Sequence, residues 1–363
     1  MVVYDFTVRE TTALERNWPY VTSSMVEAIN TCPKWGIIHN VQHKRFVTGF
    51  RQMALEAGSL MHEVFSIYNL WQLAVTQKCL GHADVKGKEL FGNIRWQIID
   101  FTTIVTMDKP DEVILNKLAY NIIGTSDFYD DPNDKNRTLS NLEHVAIELG
   151  SYFLMNHTKF EIYVKDVDNP NSEVGIEQSL DVIFDIELTS GAKVSIRFIG
   201  LADVVYQNSK TRKITLGEYK TTASMNDAWR EAFRTRHQIS AYNGALEAYY
   251  TELSYNTILT GSTIPVRKTT TPTQHFNVDR DRENVKDFLS TALFSLGLIK
   301  DYPESTAIYA PMFTHSCNRY FRPCSLLDLC SSEKGDQIVM WEQMEIDAEM
   351  SPSELKALLR QGA

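Results

Sequence analysis

Residues 193–222, KVSIRFIGLADVVYQNSKTRKITLGEYKTT, decide how the rest of the chain is read. Three runs within them, 193–198, 202–206 and 214–219, are rich in Val, Ile, Phe and Tyr and are set apart by Gly, Asn and Lys, the pattern of short strands. Runs of the same kind at 160–164 and 175–184 extend this into a meander. From 226 to 250 the spacing of Trp229, Phe233, Ile239, Leu246 and Tyr249 is helical, so a helix is expected there. Upstream, Thr22, Ser23 and Ser24 precede Met25, Ala28 and Ile29, which predicts a capped helix ending at Cys32-Pro33. Residues 54–73 predict a second helix through Leu55, Leu60, Met61, Val64, Phe65 and Leu70. The chain then stays mostly helical in pattern to about 156, interrupted by the polar loop DDPNDKNR at 130–137. Helices, a mostly antiparallel sheet and a helix packed on it make an α+β (mixed α/β) fold.

The 363 residues are 43% hydrophobic and 23% charged, the balance of a globular protein with a sizeable core. One large domain with insertions is expected, the helical insertion covering about 66–156 and a polar tail 341–363. The opening MVVYDFTVRE carries acidic residues and no apolar run, unlike a signal or transit peptide. No window approaches the ~18 apolar residues of a membrane span. A cytoplasmic protein with reduced thiols is therefore expected. A net charge of -10 argues against a protein that coats nucleic acid by bulk electrostatics. It leaves room for a local basic track, and Lys210, Arg212, Lys213, Lys220, Arg230, Arg234, Arg236 and His237 offer one, although such runs are commonly solvated faces.

Four short patterns occur in order: Gly58-Ser-Leu-Met-His62, Gly200-Leu-Ala-Asp203, Gly217-Glu218-Tyr219-Lys220, and Gln238-Ile-Ser-Ala-Tyr242. Asp203 and Glu218, on adjacent strands, can converge on one hard cation such as Mg²⁺ or Mn²⁺, which prefers oxygen ligands. Side chains alternate along a strand, so Glu218 and Lys220 share one side. Lys220 is then placed to polarise an attacking water or to meet charge developing on phosphorus. The main-chain carbonyl of Tyr219 is a further candidate ligand, and the His62 imidazole tilts the preference toward Mn²⁺. Gln238 and Tyr242 lie one helical turn apart on one face, with Arg234 a turn before. Each fragment alone reads as ordinary structure: Glu-x-Lys as an ion pair, a helical His as a satisfied core residue. Their joint occurrence in this order carries the signal.

The order GxxxH, GxxD, ExK, QxxxY resembles the RecB-type branch of the PD-(D/E)xK nuclease superfamily, over about residues 21–335. The resemblance implies a restriction-endonuclease-like core sheet flanked by helices. It also implies a metal-dependent DNA nuclease, with His62, Asp203, Glu218 and the Tyr219 carbonyl at the metal. Lys220 would be the catalytic lysine, and Gln238 and Tyr242 would orient site and DNA. Glu177, on the strand before Asp203, stands where members often carry another acidic residue. The insertion has no counterpart in the resemblance.

Of five cysteines, Cys32, Cys317, Cys324 and Cys330 read as one metal site and Cys79 as a spare. Three late thiolates without a CxxC pair lower the expectation of a zinc ribbon and need a fourth ligand, for which Cys32 is the natural candidate. One early and three late cysteines resemble the iron-sulfur members of the branch, including CRISPR-associated and phage-borne RecB-like exonucleases and the AddB-type nuclease domain. There a [4Fe-4S] cluster is implied, with Zn²⁺ as the alternative. The combined expectation is an exonuclease on DNA ends or single strands, in the host cytoplasm if phage-encoded, stand-alone because no GxxxxGK[ST] helicase motif occurs, and served by a recombination or helicase partner. Two rivals are a catalytically silent DNA-binding or assembly subunit and a zinc protein that binds nucleic acid without cutting it.

Overall fold

A computed structural model describes residues 2–42, 44–45, 53–101, 112–132, 134–156, 160–264 and 273–312, and the short stretches 318–319, 322–324, 326–331 and 345–346. The main elements, in chain order, are β1 (Val3–Glu10), β2 (Tyr20–Val21), α1 (Ser23–Thr31), α2 (Met53–Trp71), α3 (Leu80–Ile98), α4 (Glu112–Gly124), α5 (Leu139–Asn156), β3 (Glu161–Ile162), β4 (Ile176–Leu188), β5 (Lys193–Gln207), β6 (Ile214–Thr222), α6 (Asp227–Arg234), α7 (His237–Leu246), β7 (Leu253–Thr263), β8 (Thr273–Val278) and α8 (Arg282–Asp301). The fold is α+β, with an eight-stranded mixed sheet in the order β1-β4-β5-β6-β7-β8, while β2 and β3 both pair with β5.

Helices cover both faces of that sheet. On one, α2 and the insertion helices α3–α5 bury Leu60, Phe65, Leu115, Leu118 and Leu149 with the sheet residues Val204, Tyr206, Tyr219 and Ile258. The insertion thus supplies one of the layers that keep the sheet dry. On the other, α7 and α8 pack Ala241, Ala245, Phe288 and Leu289 on Phe184, Phe198, Ala202 and Leu216. The sequence of α2 accounts for its double burial, because Leu60, Met61, Val64, Phe65, Ile67, Tyr68, Leu70 and Trp71 spread round the helix and every residue from Val64 to Trp71 is buried.

Three elements differ from expectation. The two strands expected at 193–198 and 202–206 are one strand, β5, since Gly200 keeps its ladder partner Leu180 and does not break the pairing. The helix expected at 226–250 is two. Asn226 caps α6 by accepting from the Trp229 N–H at 2.8 Å, and Arg236, extended at φ -68 and ψ 128, separates α6 from α7. Arg234 therefore does not continue the face of Gln238 and Tyr242. Finally, β6 and β7 are parallel, because the chain between them crosses over through α6 and α7 instead of turning back in a hairpin. Thr22 caps α1 as expected, accepting from the Met25 N–H at 3.2 Å.

The sheet opens where the sequence motifs fall. Along β5, pairing with β6 begins at Val204↔Gly217 and continues to Gln207↔Ile214, whereas the same edge pairs with β2 at Arg197 and Phe198. Among the described residues no strand pairs with this edge of β5 between those two contacts, and β6 beyond Gly217 pairs only with β7. Asp203 sits at the mouth of this split.

Candidate active site

Gly217 lets the two strands meet at the split, for a Cβ there would lie 2.4 Å from Val204 Cγ1 and 2.5 Å from Tyr206 Cε2. Two residues further along β6, the Tyr219 N–H has no strand partner on the β5 side among the described residues and donates to Asp203 Oδ2 at 2.7 Å. In a strand, a residue's N–H and C=O face the same edge, so the Tyr219 carbonyl also faces the split. Asp203 Oδ1 lies 3.3 Å from His62 Nδ1. Burial opposes ionisation of Asp203, but His62, Lys220 and the Tyr219 N–H outweigh it and hold the carboxyl below its ordinary value. Burial likewise opposes charge on His62, and Asp203 outweighs it, raising the imidazole above its ordinary value.

Opposite Asp203 on the neighbouring strand stands Glu177, between the ladder pairs Ile176↔Val204 and Gln178↔Ala202. Its backbone is left-handed at φ 48, strained for a residue with a side chain. Glu177 is nevertheless buried, with Ser66 Oγ donating to its Oε1 at 3.3 Å. His62, Glu177 and Asp203 offer ligand atoms that all lie within 4.8 Å of one another, and no other such group of His, Cys, Asp and Glu occurs among the described residues. An imidazole and two carboxylates suit Mn²⁺ or Mg²⁺.

Glu218 stands beside this group and is not one of its three members. Its Oε1 accepts from Lys220 Nζ and, at 2.8 Å, from Gln238 Nε2. Among the described residues its Oε2 is buried without a hydrogen-bond partner, an acceptor left open for a cation or proton. Burial and the Asp203 charge push the Glu218 carboxyl up to about 7 against the pull of Lys220. Lys220 is raised despite burial by Glu218 and Asp203, so it stays charged. Gln238 also donates to the Tyr242 hydroxyl at 3.3 Å. Gly200 leaves room for that ring, since a Cβ there would lie 2.7 Å from Tyr242 Cε1.

The structure therefore brings His62, Asp203, Glu218, Tyr219, Lys220, Gln238 and Tyr242 to one place and adds Glu177. Sequence reasoning missed a stripe on α2. One turn before His62, Gly58 brings the helix against Thr221, where a Cβ would be 3.4 Å from the hydroxyl. Phe65 stacks on Tyr219 with centroids 4.0 Å apart, Ser66 reaches Glu177, and Asn69 accepts from the Tyr219 hydroxyl at 2.9 Å. The available signal was Ser66 and Asn69, polar residues at helical spacing from His62 in an otherwise apolar helix. The basic track does not lie together. Lys210, Arg212 and Lys213 occupy the turn before β6, roughly 20 Å of strand from Lys220 at its far end.

Cys32 is buried at the junction after α1. Cys324 and Cys330 pack on an apolar cluster formed by Ile29, Ile37, Ile38, Ala307 and Leu329. Three of the four cysteines expected to act together thus lie on or beside one small core, and Cys317 lies outside the described residues. The three thiols do not form a group within 4.8 Å of one another. Cys79 lies apart, against the insertion core.

No family model and no curated protein matches the sequence. A solved structure titled "Crystal structure of SSO0001" is similar over 46% of this chain and 71% of that one, at 15% identity and a TM-score of 0.23, a likeness too slight to bear on fold or function. Among the described residues no helix is long and apolar enough to cross a membrane.

Proposed function

We propose that this chain is a metal-dependent nuclease that hydrolyses phosphodiester bonds in DNA, at ends or in single strands. The observation that carries the proposal is the group formed by half-buried His62 with buried Glu177 and Asp203 at a split in the sheet, next to a charged lysine and a carboxylate oxygen without a hydrogen-bond partner among the described residues. The ordered motifs and their resemblance to RecB-type nucleases support it. His62, Glu177, Asp203, the Tyr219 carbonyl and Glu218 Oε2 are the groups that would hold Mg²⁺ or Mn²⁺. When bound there, such an ion supplies charge neutralisation for the phosphate and a lowered pKa for water.

The chain's own groups set the rest. Lys220 offers a fixed positive charge to the negative charge that grows on the phosphoryl oxygens, and burial strengthens that interaction. Gln238 and Lys220 together orient Glu218, and Tyr242 backs Gln238. The resemblance also assigns Cys32, Cys317, Cys324 and Cys330 to a structural [4Fe-4S] cluster. Iron and sulfide measured after anaerobic purification, and lost in Cys32→Ala, would support that assignment, whereas one zinc per chain would replace it.

Incubation of the protein with end-labelled single- and double-stranded DNA, with and without Mn²⁺, tests the function. Cleavage is expected only with the divalent ion, and it should vanish in Asp203→Ala and Lys220→Ala with the circular dichroism of the fold retained. No cleavage under any divalent condition, or wild-type turnover in either variant, overturns the proposal.

A further inference from the structure

Burial of an apolar helix on a sheet is non-directional, so it holds α2 down without deciding where along the sheet the helix stops. The stack of Phe65 on Tyr219, 6° from parallel, permits sliding as well. What fixes the position must be directional. The Tyr219 hydroxyl donates to Asn69 Oδ1 at 2.9 Å, and it therefore accepts from the Tyr206 hydroxyl 2.8 Å away. This chain of bonds ties β5 to β6 and β6 to α2, with all three residues buried. Asn69 lies on the face that carries His62, two turns and about 10 Å further along the helix.

We propose that Asn69 and Tyr206 are positioning residues, which act through the Tyr219 hydroxyl to set His62 against Asp203. This rests on the metal-site reading above. Two details support a role beyond cohesion. Among the described residues Asn69 Nδ2 is buried without a hydrogen-bond partner, so the Tyr219 hydroxyl is what the side-chain amide bonds to. Tyr219 also links the two ends of the brace through its backbone, because its N–H orients Asp203 while its hydroxyl anchors α2. A shift of α2 by one ångström would be felt directly at the 3.3 Å approach of His62 Nδ1 to Asp203.

The test is calorimetric titration of Mn²⁺ into the full-length, chelator-stripped protein, with thermal denaturation in parallel. Tyr206→Phe and Asn69→Leu should each weaken Mn²⁺ binding about tenfold, the size typical of groups that orient metal ligands. Combined with His62→Ala, each should change the Kd by less than about twofold, because residues acting through one ligand are not additive with its loss. Lower melting temperature with unchanged Kd in the single variants overturns the positioning role. So does a tenfold loss that persists in the His62→Ala background. Should Asn69→Leu fail to fold, Tyr206→Phe, which deletes one oxygen, carries the test. Wild-type protein without Mn²⁺ affinity overturns the metal reading and the brace with it; wild-type affinity with unaltered single variants overturns the brace alone.

Discussion

Gly200→Ala puts a methyl group where the structure has none to spare. The new Cβ would lie 2.7 Å from Tyr242 Cε1 and 3.0 and 3.2 Å from Phe198 Cε1 and Cζ. Ordinary carbon contacts are about 3.5–4.0 Å, so the Tyr242 ring must retreat by roughly 1 Å or β5 must bend. Neither is easy. Phe198 meets Tyr242 edge-on at 6.2 Å and is itself packed against Phe184 and Phe288 at 6.1 and 5.8 Å, while Gly200 is paired with Leu180. Overpacking of this kind costs about 1–3 kcal/mol. Unfolding entropy near 2.1 cal/mol/K per residue gives about 0.8 kcal/mol per degree for 363 residues, hence a melting temperature lower by about 1–4 °C. Because Tyr242 accepts from Gln238, and Gln238 donates to Glu218, the same displacement should also reduce cleavage. Thermal denaturation and DNA cleavage, measured on Gly200→Ala, Tyr242→Ala and the double variant, separate the two effects. The double variant should come close to Tyr242→Ala, since the nearest obstacle is gone and Phe198 has only a few tenths of an ångström left to yield. Strictly additive losses, or a shift below about 0.5 °C in Gly200→Ala, would refute the reasoning.

His62→Ala should reduce cleavage more in Mn²⁺ than in Mg²⁺, because the lost imidazole is the ligand that favours Mn²⁺; equal loss with both ions removes His62 from the ligand set. Glu177→Gly should weaken Mn²⁺ binding while leaving the melting temperature unchanged or higher, since glycine relieves the strain at φ 48. A large drop in melting temperature would show that the Glu177 side chain holds the fold together. Glu173 gives a pH prediction: burial lifts its carboxyl above the ordinary value of 4.5, helped by Glu10 and opposed by Lys165, Lys86 and the hydrogen bond from Gln178. The folded state then keeps a proton that the unfolded chain has lost, so its contribution to stability is present below 4.5 and fades as pH rises above it. Glu173→Gln should flatten that part of the melting-temperature profile, and an unchanged slope would count against the burial argument.

Sequence alone determined the element types, the order of the four motifs and the alternation that puts Glu218 and Lys220 on one side, because periodicity and strand geometry are local properties. The cap at Thr22 was legible for the same reason. What it could not determine was where a strand stops having a neighbour. The split beyond Val204 and Gly217 follows from β2 and β6 claiming different parts of one edge of β5, which is a competition between segments nearly 200 residues apart. Glu177 was visible as an acidic residue, but its place opposite Asp203 depends on a left-handed backbone that no propensity favours and only the surrounding sheet enforces. The break between α6 and α7 escaped the apolar pattern, which continues across it. Asn69 and Tyr206 carry no local signal of partnership at all. Their meeting at the Tyr219 hydroxyl exists only once α2 is pressed between the sheet and the insertion, where water is excluded and each hydroxyl must find its partner within the protein.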